Sequence, residues 1–167
     1  MAAPWKLPTA PTRSGATAAV AGAAALTGAA ALAGAAIDGA PGTGLDAATG
    51  AVADTYFAQP SAVLDVVATT GTNGKSTVTT LVAAMANAAG VDARAGGNLG
   101  PPALDLLDDR EAGLYVLELS SYQIDLTLTL ACEAAALSNI TPDHLDRHGT
   151  LETYAAVKER LVSAVDI

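Results

Sequence analysis

Residues 70–77 read TGTNGKST, a pattern that can bind phosphate. An apolar stretch precedes these residues, and a helix-forming stretch, residues 78–89, follows them. The first turn of a helix has unpaired backbone N–H groups, and the helix dipole favours an anion there. Glycine lets the backbone approach a phosphate, Lys75 supplies a cation, and the hydroxyl of Ser76 or Thr77 can reach a phosphate-bound magnesium ion. The sequence therefore predicts that the chain binds a nucleoside triphosphate.

The spacing departs from the usual phosphate-loop pattern G-x-x-x-x-G-K-[ST]. Counting back from Gly74, the first glycine of that pattern falls on Thr69. A chance Gly-Lys-Ser at a helix start is the alternative. The strand expected before the turn and the helix expected after it favour phosphate binding.

Two further stretches contain residues suited to metal chemistry. Glu118 ends an apolar strand, where the negative charge of a buried carboxylate is costly unless a partner compensates it. An arginine or lysine would be such a partner, but we favour a role as a magnesium ligand opposite the phosphate loop. His144 shares a polar loop with Asp143 and Asp146, which favours a metal or phosphate role. His148 has no such support and is predicted to be a surface residue.

Alternating apolar and polar stretches predict the elements that carry these residues. The expected strands are residues 63–69, 91–95, 114–119 and 134–140. The expected helices are residues 76–89, 101–107 and 151–165, with a polar turn at 108–111, loops at 96–100 and 120–123, and a loop or short helical turn at 141–149. Near-continuous apolar strands that alternate with helices indicate an α/β fold with a mostly parallel sheet. Ligands bind beyond the carboxyl ends of such strands, where every motif above falls.

Composition narrows the choice of partners. The net charge of the 167 residues is -9, which does not indicate a nucleic-acid surface. A single cysteine, Cys132, excludes an internal disulfide and a cysteine zinc site, and we expect it in the core. An acidic domain that binds phosphate is expected to hold its ligand through metal ions.

Residues 1–60 form an alanine- and glycine-rich segment of low complexity. A membrane-spanning helix would need more large apolar side chains, and a secretory signal would take an ATP-using protein away from ATP. We favour a loosely packed alanine-rich helix or a disordered tail, with a linker at residues 39–50. The expected domain division is therefore residues 1–60 and 61–167.

Taken together, residues 66–162 resemble the central ATP-binding domain of the Mur ligases, and within that family the D-glutamate-adding branch. The segments that match are TGTNGKST (70–77), GGNLG (96–100), LELSSYQ (117–123), NITPDHLDR (139–147) and YAAVK (154–158). Their order and spacing make the resemblance specific, and the threonine at position 69 is ordinary in this family.

The resemblance implies a role for each matched residue. Gly71, Thr72, Asn73 and Gly74 would wrap the ATP phosphates, with Lys75, Ser76 and Thr77 completing the nucleotide site. Catalytic roles would fall to Lys75, His144 and Lys158. Two Mg²⁺ ions would be held by Ser76, Glu118, His144 and Lys158, the last as a carbamate. Taken alone, Lys158 is an ordinary exposed lysine that shares a helix face with Tyr154. Asn98 and Ser120 would contact the substrate.

The implied reaction is an ATP-dependent ligation in peptidoglycan synthesis. UDP-N-acetylmuramoyl-L-alanine would be activated as an acyl phosphate and joined to D-glutamate, in a cytoplasmic monomer that binds neither membrane nor nucleic acid. The family's first and third domains are not recognisable, so we expect a truncated chain that does not ligate by itself. The alternatives are a non-catalytic nucleotide-binding fragment, a sibling Mur ligase and a folylpolyglutamate synthase.

Overall fold

The computed structural model describes residues 60–107, 112–127, 129–163 and 165. The strands are β1 (Val66–Thr70), β2 (Ala93–Gly97), β3 (Leu114–Glu118) and β4 (Ala134–Leu137). They form one parallel sheet in the order β2-β3-β1-β4. The helices are α1 (Lys75–Ala88), α2 (Ser121–Leu126), α3 (Leu145–His148) and α4 (Leu151–Ser163), and the 3-10 turns are Pro60–Ala62 and Ala103–Leu106. The expected α/β class is confirmed.

The two central strands alternate their side chains between two apolar layers. Val66 and Ala68 of β1 pack on one side with Leu117 of β3, Val157 and Leu161. The other layer contains Val67, Val116, Ala83 and Ala93. Successive strand residues point to opposite faces of the sheet, so both faces are apolar and need cover. Helix α1 covers one face and α4 covers the other. The carboxyl edge of the sheet is left for the loops.

Helix α1 ends in a backbone motif that its sequence favours. Gly90 has φ +86°, its N–H donates to Asn87 at 3.0 Å, and the N–H of Val91 donates to Ala86 at 3.0 Å. These two bonds form a Schellman motif, for which glycine is the preferred residue. Helix and turn together direct the chain back into β2.

Several local predictions were wrong. The loop expected at residues 120–123 contains the start of α2, because Ser120 and Gln123 form a capping box. The helix expected at residues 101–107 is only a 3-10 turn, and β4 ends at Leu137 rather than at Ile140.

Two other predictions lie outside the described residues. They are the alanine-rich segment, apart from Pro60, and the polar turn at residues 108–111. Among the described helices, none has the length and apolar character that a membrane span requires.

Candidate active site at the carboxyl edge of the sheet

The turn between β1 and α1 has the backbone conformation of a phosphate-binding turn. Gly71 and Gly74 have φ of +141° and +81°, in the region that favours glycine, and α1 begins directly afterwards at Lys75. Asn73, Gly74 and Ser76 are exposed. The first N–H groups of α1 are therefore open to an anion from solvent.

The turn is held in shape by the segment that follows β4. Asn139 pairs with the backbone of Asn73 in both directions, with Oδ1 accepting at 3.0 Å and Nδ2 donating at 2.9 Å. Its carbonyl also accepts from the N–H of Thr72 at 2.9 Å. The hydroxyl of Thr72 donates to the carbonyl of Thr141 at 3.1 Å, and the N–H of Thr141 donates back at 3.0 Å. Sequence reasoning gave Asn139 no role, although an amide directly after a strand was a usable signal.

Lys75 folds back over the turn. Its Nζ donates to the carbonyl of Thr72 at 3.0 Å, and the side chain is half-buried. The ammonium therefore lies over the turn that leads into α1, where it and the first N–H groups of α1 can contact one anion.

Glu118 is the acidic residue at the end of β3. It is 2% exposed, and Oε1 accepts from Nδ2 of Asn98 at 2.8 Å. Oε2 is buried and has no hydrogen-bond partner among the described residues. In the described ranges, no arginine or lysine side chain pairs with the Glu118 carboxylate. A buried carboxylate oxygen without a partner fits a site for a hard cation such as Mg²⁺.

His144 lies at the same edge, after β4. Its φ is +49°, an uncommon backbone conformation for a residue other than glycine, and its side chain is 44% exposed. Nε2 lies 3.5 Å from Oδ2 of Asp143, and Nδ1 lies 3.3 Å from the hydroxyl of Tyr122. Contacts at both ring nitrogens therefore fix the orientation of the His144 side chain.

His148 is not the surface residue that was predicted. It is 8% exposed, and its Nε2 hydrogen-bonds the hydroxyl of Ser121 at 3.0 Å. Burial lowers its pKa, and the neighbouring Arg147 lowers it further, while Asp125 opposes this. The short helix α3 turns this residue inward towards α2, which its sequence neighbours did not indicate.

Lys158 is buried rather than exposed. Its Nζ donates to the carbonyl of Gly71 at 3.0 Å and to the hydroxyl of Thr70 at 3.2 Å, and it lies 4.8 Å from the ring centroid of Tyr154. Burial, followed by the charge of Lys75, lowers the pKa of Lys158 to about 8, while Asp143 opposes the shift. The structure thus brings a second amine to the phosphate turn.

Tyr154 ties this lysine to the turn. Its hydroxyl lies 3.2 Å from that of Thr72. Burial raises the pKa of the Tyr154 phenol, and the Thr72 hydrogen bond partly offsets this. The phenol stays neutral near pH 7, where it can donate a hydrogen bond.

Ser120 and Asn98, the two residues expected to contact the substrate, each form hydrogen bonds within the chain. Ser120 caps α2, accepting from the N–H of Gln123 at 3.2 Å, and Asn98 holds Glu118. Both lie at the carboxyl edge, after β3 and β2. Gly97 cannot carry a side chain, because a Cβ there would overlap the carbonyl oxygen of Glu118. The loop carrying Asn98 therefore lies directly against β3.

A family model described as the Mur ligase middle domain matches residues 69–167. The chain belongs to the Mur ligase family. Curated relatives named UDP-N-acetylmuramoylalanine--D-glutamate ligase are similar over the same region. The protein of Nitrobacter hamburgensis is 58% identical over 99 residues, covering 59% of this chain and 21% of the relative. That of Sphingopyxis alaskensis is 59% identical over 98 residues, covering 59% and 23%. The chain therefore spans about a fifth of the length of these relatives.

Solved Mur ligase structures share the fold. One is titled a UDP-N-acetylmuramoyl-L-alanyl-D-glutamate--2,6-diaminopimelate ligase, with a TM-score of 0.59 and 28% identity, covering 73% of this chain and 30% of that one. The second, MurF from Acinetobacter baumannii, has a TM-score of 0.55 and 20% identity, covering 72% and 28%. The second likeness supports the fold alone.

Proposed function

We propose that residues 66–163 are the catalytic centre of an ATP-dependent amide ligase of peptidoglycan precursor synthesis. The proposed reaction adds D-glutamate to UDP-N-acetylmuramoyl-L-alanine. One observation carries the proposal: an open phosphate turn lies at the same sheet edge as Glu118, whose buried Oε2 has no hydrogen-bond partner in the described part of the chain. The names of relatives at 58–59% identity support this choice of substrates.

The phosphate turn would bind the ATP triphosphate. Residues 71–74 and the first N–H groups of α1 would surround the phosphates, and Thr77 would lie in the same helical turn. Lys75 would leave the carbonyl of Thr72 and contact the β- and γ-phosphates. These groups position the γ-phosphate and balance the charge that spreads over its oxygens during transfer.

Magnesium fits the donors at this edge. Ser76 and Oε2 of Glu118 would hold one ion, and His144 and a carbamylated Lys158 would help hold a second. When bound, the metal supplies charge neutralisation that lets a carboxylate approach a phosphate. Asn98 fixes the other oxygen of Glu118, so its carboxylate is already oriented.

Carbamylation of Lys158 is supported by its surroundings. Only a neutral amine adds to carbon dioxide, and with a pKa of about 8 roughly a tenth of Lys158 is neutral at pH 7. The N–C bond forms as the amine loses a proton, which converts a cation into an anion. The charge of Lys75, which disfavours the ammonium, favours this anion.

Two transfers complete the proposed reaction. A carboxylate oxygen of the muramoyl substrate, near Asn98 and Ser120, attacks the γ-phosphorus, and ADP leaves. The amine of D-glutamate then attacks the acyl carbon, an amide bond forms, and inorganic phosphate leaves with the bonding electrons. The amine releases a proton in this step. Because ATP and nucleotide-linked precursors are the substrates, we propose a cytoplasmic location.

A chimera tests whether these residues perform the chemistry. Residues 66–163 replace the matching segment of the Nitrobacter hamburgensis ligase, and D-glutamate-dependent ADP release is measured. We expect turnover, and a loss of about 100-fold or more on Glu118→Gln. Glu133→Gln, at an exposed carboxylate, is the matched control and leaves turnover unchanged.

The chimera also separates the proposal from its main alternative. A folded chimera that binds ATP but releases no ADP with both substrates present would indicate a non-catalytic nucleotide-binding segment. Equal activity of the Glu118→Gln and Glu133→Gln chimeras would remove Glu118 from the metal site.

A further inference from the structure

Tyr122, in the first turn of α2, lies between two side chains of the segment that follows β4, one just before α3 and one within it. Its ring meets that of His144 edge to face, with centroids 5.0 Å apart and planes at 84°. On another side the guanidinium carbon of Arg147 lies 4.6 Å from the Tyr122 ring centroid. Arg147 is in turn paired with Asp125 of α2 at 3.3 Å. The Tyr122 ring is therefore fixed by contacts that do not involve its hydroxyl.

The two ring nitrogens of His144 have different neighbours. Nδ1 lies 3.3 Å from the Tyr122 hydroxyl, and Nε2 lies 3.5 Å from Oδ2 of Asp143. The negative charge of Asp143 attracts a cation to the Nε2 side. On the other side, the Tyr122 hydroxyl already occupies the hydrogen-bonding position of Nδ1. Nε2 is therefore the nitrogen better placed for a metal.

We propose that Tyr122 is a positioning residue that presents Nε2 of His144 to the metal site. The proposal rests on the proposed function, in which His144 helps to hold Mg²⁺. A metal-binding imidazole needs a lone pair on the binding nitrogen and a proton on the other. With a metal ion on Nε2, the Tyr122 oxygen would accept the hydrogen bond from Nδ1–H and so stabilise that tautomer. Partners of this kind commonly govern metal affinity.

The test removes one oxygen atom. Tyr122→Phe keeps the ring and its contact with Arg147 but loses the hydroxyl. Tyr115→Phe is the matched control, because its buried phenol accepts from the N–H of Ala112 at 3.2 Å, in the apolar layer. Two quantities are measured on the full 167-residue chain. They are the ¹⁵N shifts of the His144 ring at pH 8, where an ordinary imidazole is neutral, and the Mn²⁺ affinity with an ATP analogue bound.

We expect Tyr122→Phe to shift the Nδ1 resonance of His144 and to weaken Mn²⁺ binding about tenfold or more. Tyr115→Phe should change neither quantity. Unchanged Mn²⁺ affinity in Tyr122→Phe overturns the inference, whether or not the Nδ1 resonance moves. If the unaltered chain binds the analogue but no Mn²⁺, the proposed metal site fails and this inference fails with it. A tenfold loss shared by the control also overturns the inference, because the effect would then be structural.

Discussion

The ammonium nitrogen of Lys158 lies 3.0 Å from the carbonyl oxygen of Gly71. This contact joins the last helix of the described chain to the first residue of the phosphate turn. A buried ammonium is costly when no carboxylate lies against it, and this lysine bonds only to a carbonyl and a hydroxyl among its described partners. Its charge state therefore affects both stability and chemistry.

Stability should rise with pH because of Lys158. Its pKa is about 8 in the folded chain and about 10.5 when unfolded. Between these values the unfolded chain keeps the proton that the folded chain has lost, so the free energy of unfolding increases as pH rises. We expect a gain of roughly 1–3 kcal/mol from pH 7.5 to 10.5 that is absent in Lys158→Met. Urea unfolding at several pH values measures it.

Glu159→Gln is the control for this titration, because it removes an exposed charge next to Lys158 in the same helix. It should show the same pH dependence as the unaltered chain. A constant difference in unfolding free energy between the unaltered chain and Lys158→Met at every pH would contradict the lowered pKa.

Gly71 and Gly74 differ in the space that a side chain would have at each position. A Cβ at Gly71 would overlap the hydroxyl oxygen of Ser138 and crowd the backbone of Asn139, whereas one at Gly74 meets nothing within 4 Å. Gly71→Ala should cost roughly 2–4 kcal/mol from strain and overlap, and Gly74→Ala about 1–2 kcal/mol from its positive φ alone. Urea unfolding of both variants at one pH gives the comparison.

A second substitution tests whether overlap with Ser138 causes the loss of stability in Gly71→Ala. Adding Ser138→Ala to Gly71→Ala removes the nearest atom and should restore part of the lost stability. Equal costs for the two single glycine variants, with no rescue, would show that backbone strain alone decides both.

A buried hydroxyl pair joins β1 to α1 beneath the turn. Thr69 and Thr79 are 1% and 0% exposed, and their Oγ1 atoms lie 2.5 Å apart. Thr69→Val or Thr79→Val leaves one hydroxyl buried without this partner, which costs roughly 1–3 kcal/mol. The double variant should lose less than the sum, because no hydroxyl is then left unpaired. A double-mutant cycle in urea measures the coupling, and strict additivity would contradict it.

The sequence predicted the elements whose signals are local. Glycine–lysine–serine after an apolar strand located the phosphate turn, and the near-continuous apolar run at residues 114–119 located β3. The loop predicted at residues 120–123 is wrong although the signal for a helix N-terminus is present in the sequence. Ser120 and Gln123 have the spacing of a capping box, which favours a helix that begins at Ser121.

Burial of the charged residues was harder to predict. Lys158 lies inside because α4 packs against the sheet, and His148 lies inside because α3 packs against α4 and its ring reaches Ser121 of α2. The contacts with the sheet and with Ser121 join residues that are distant in sequence. Without the family resemblance, Lys158 is predicted to be an ordinary exposed lysine. Only the resemblance indicates a catalytic role. The pairing of Asn139 with Asn73 joins residues 66 positions apart, which no local pattern encodes.

Lys75 should contribute most to binding of the outer phosphates. In the described structure its Nζ is 3.0 Å from the carbonyl of Thr72, a neutral acceptor that a phosphate can replace. A charge-assisted contact of this kind contributes roughly 1.5–3 kcal/mol, so Lys75→Ala should weaken a Mg²⁺-bound ATP analogue by about 10- to 100-fold. Calorimetric titration of the 167-residue chain measures this affinity.

AMP is the control for this prediction. Because AMP lacks the β- and γ-phosphates, it should bind the Lys75→Ala variant and the unaltered chain alike. An equal loss for AMP and the triphosphate analogue would place Lys75 near the α-phosphate or show that the turn itself had collapsed. Near-equal affinity of Lys75→Ala and the unaltered chain for the analogue would remove the lysine from the nucleotide site.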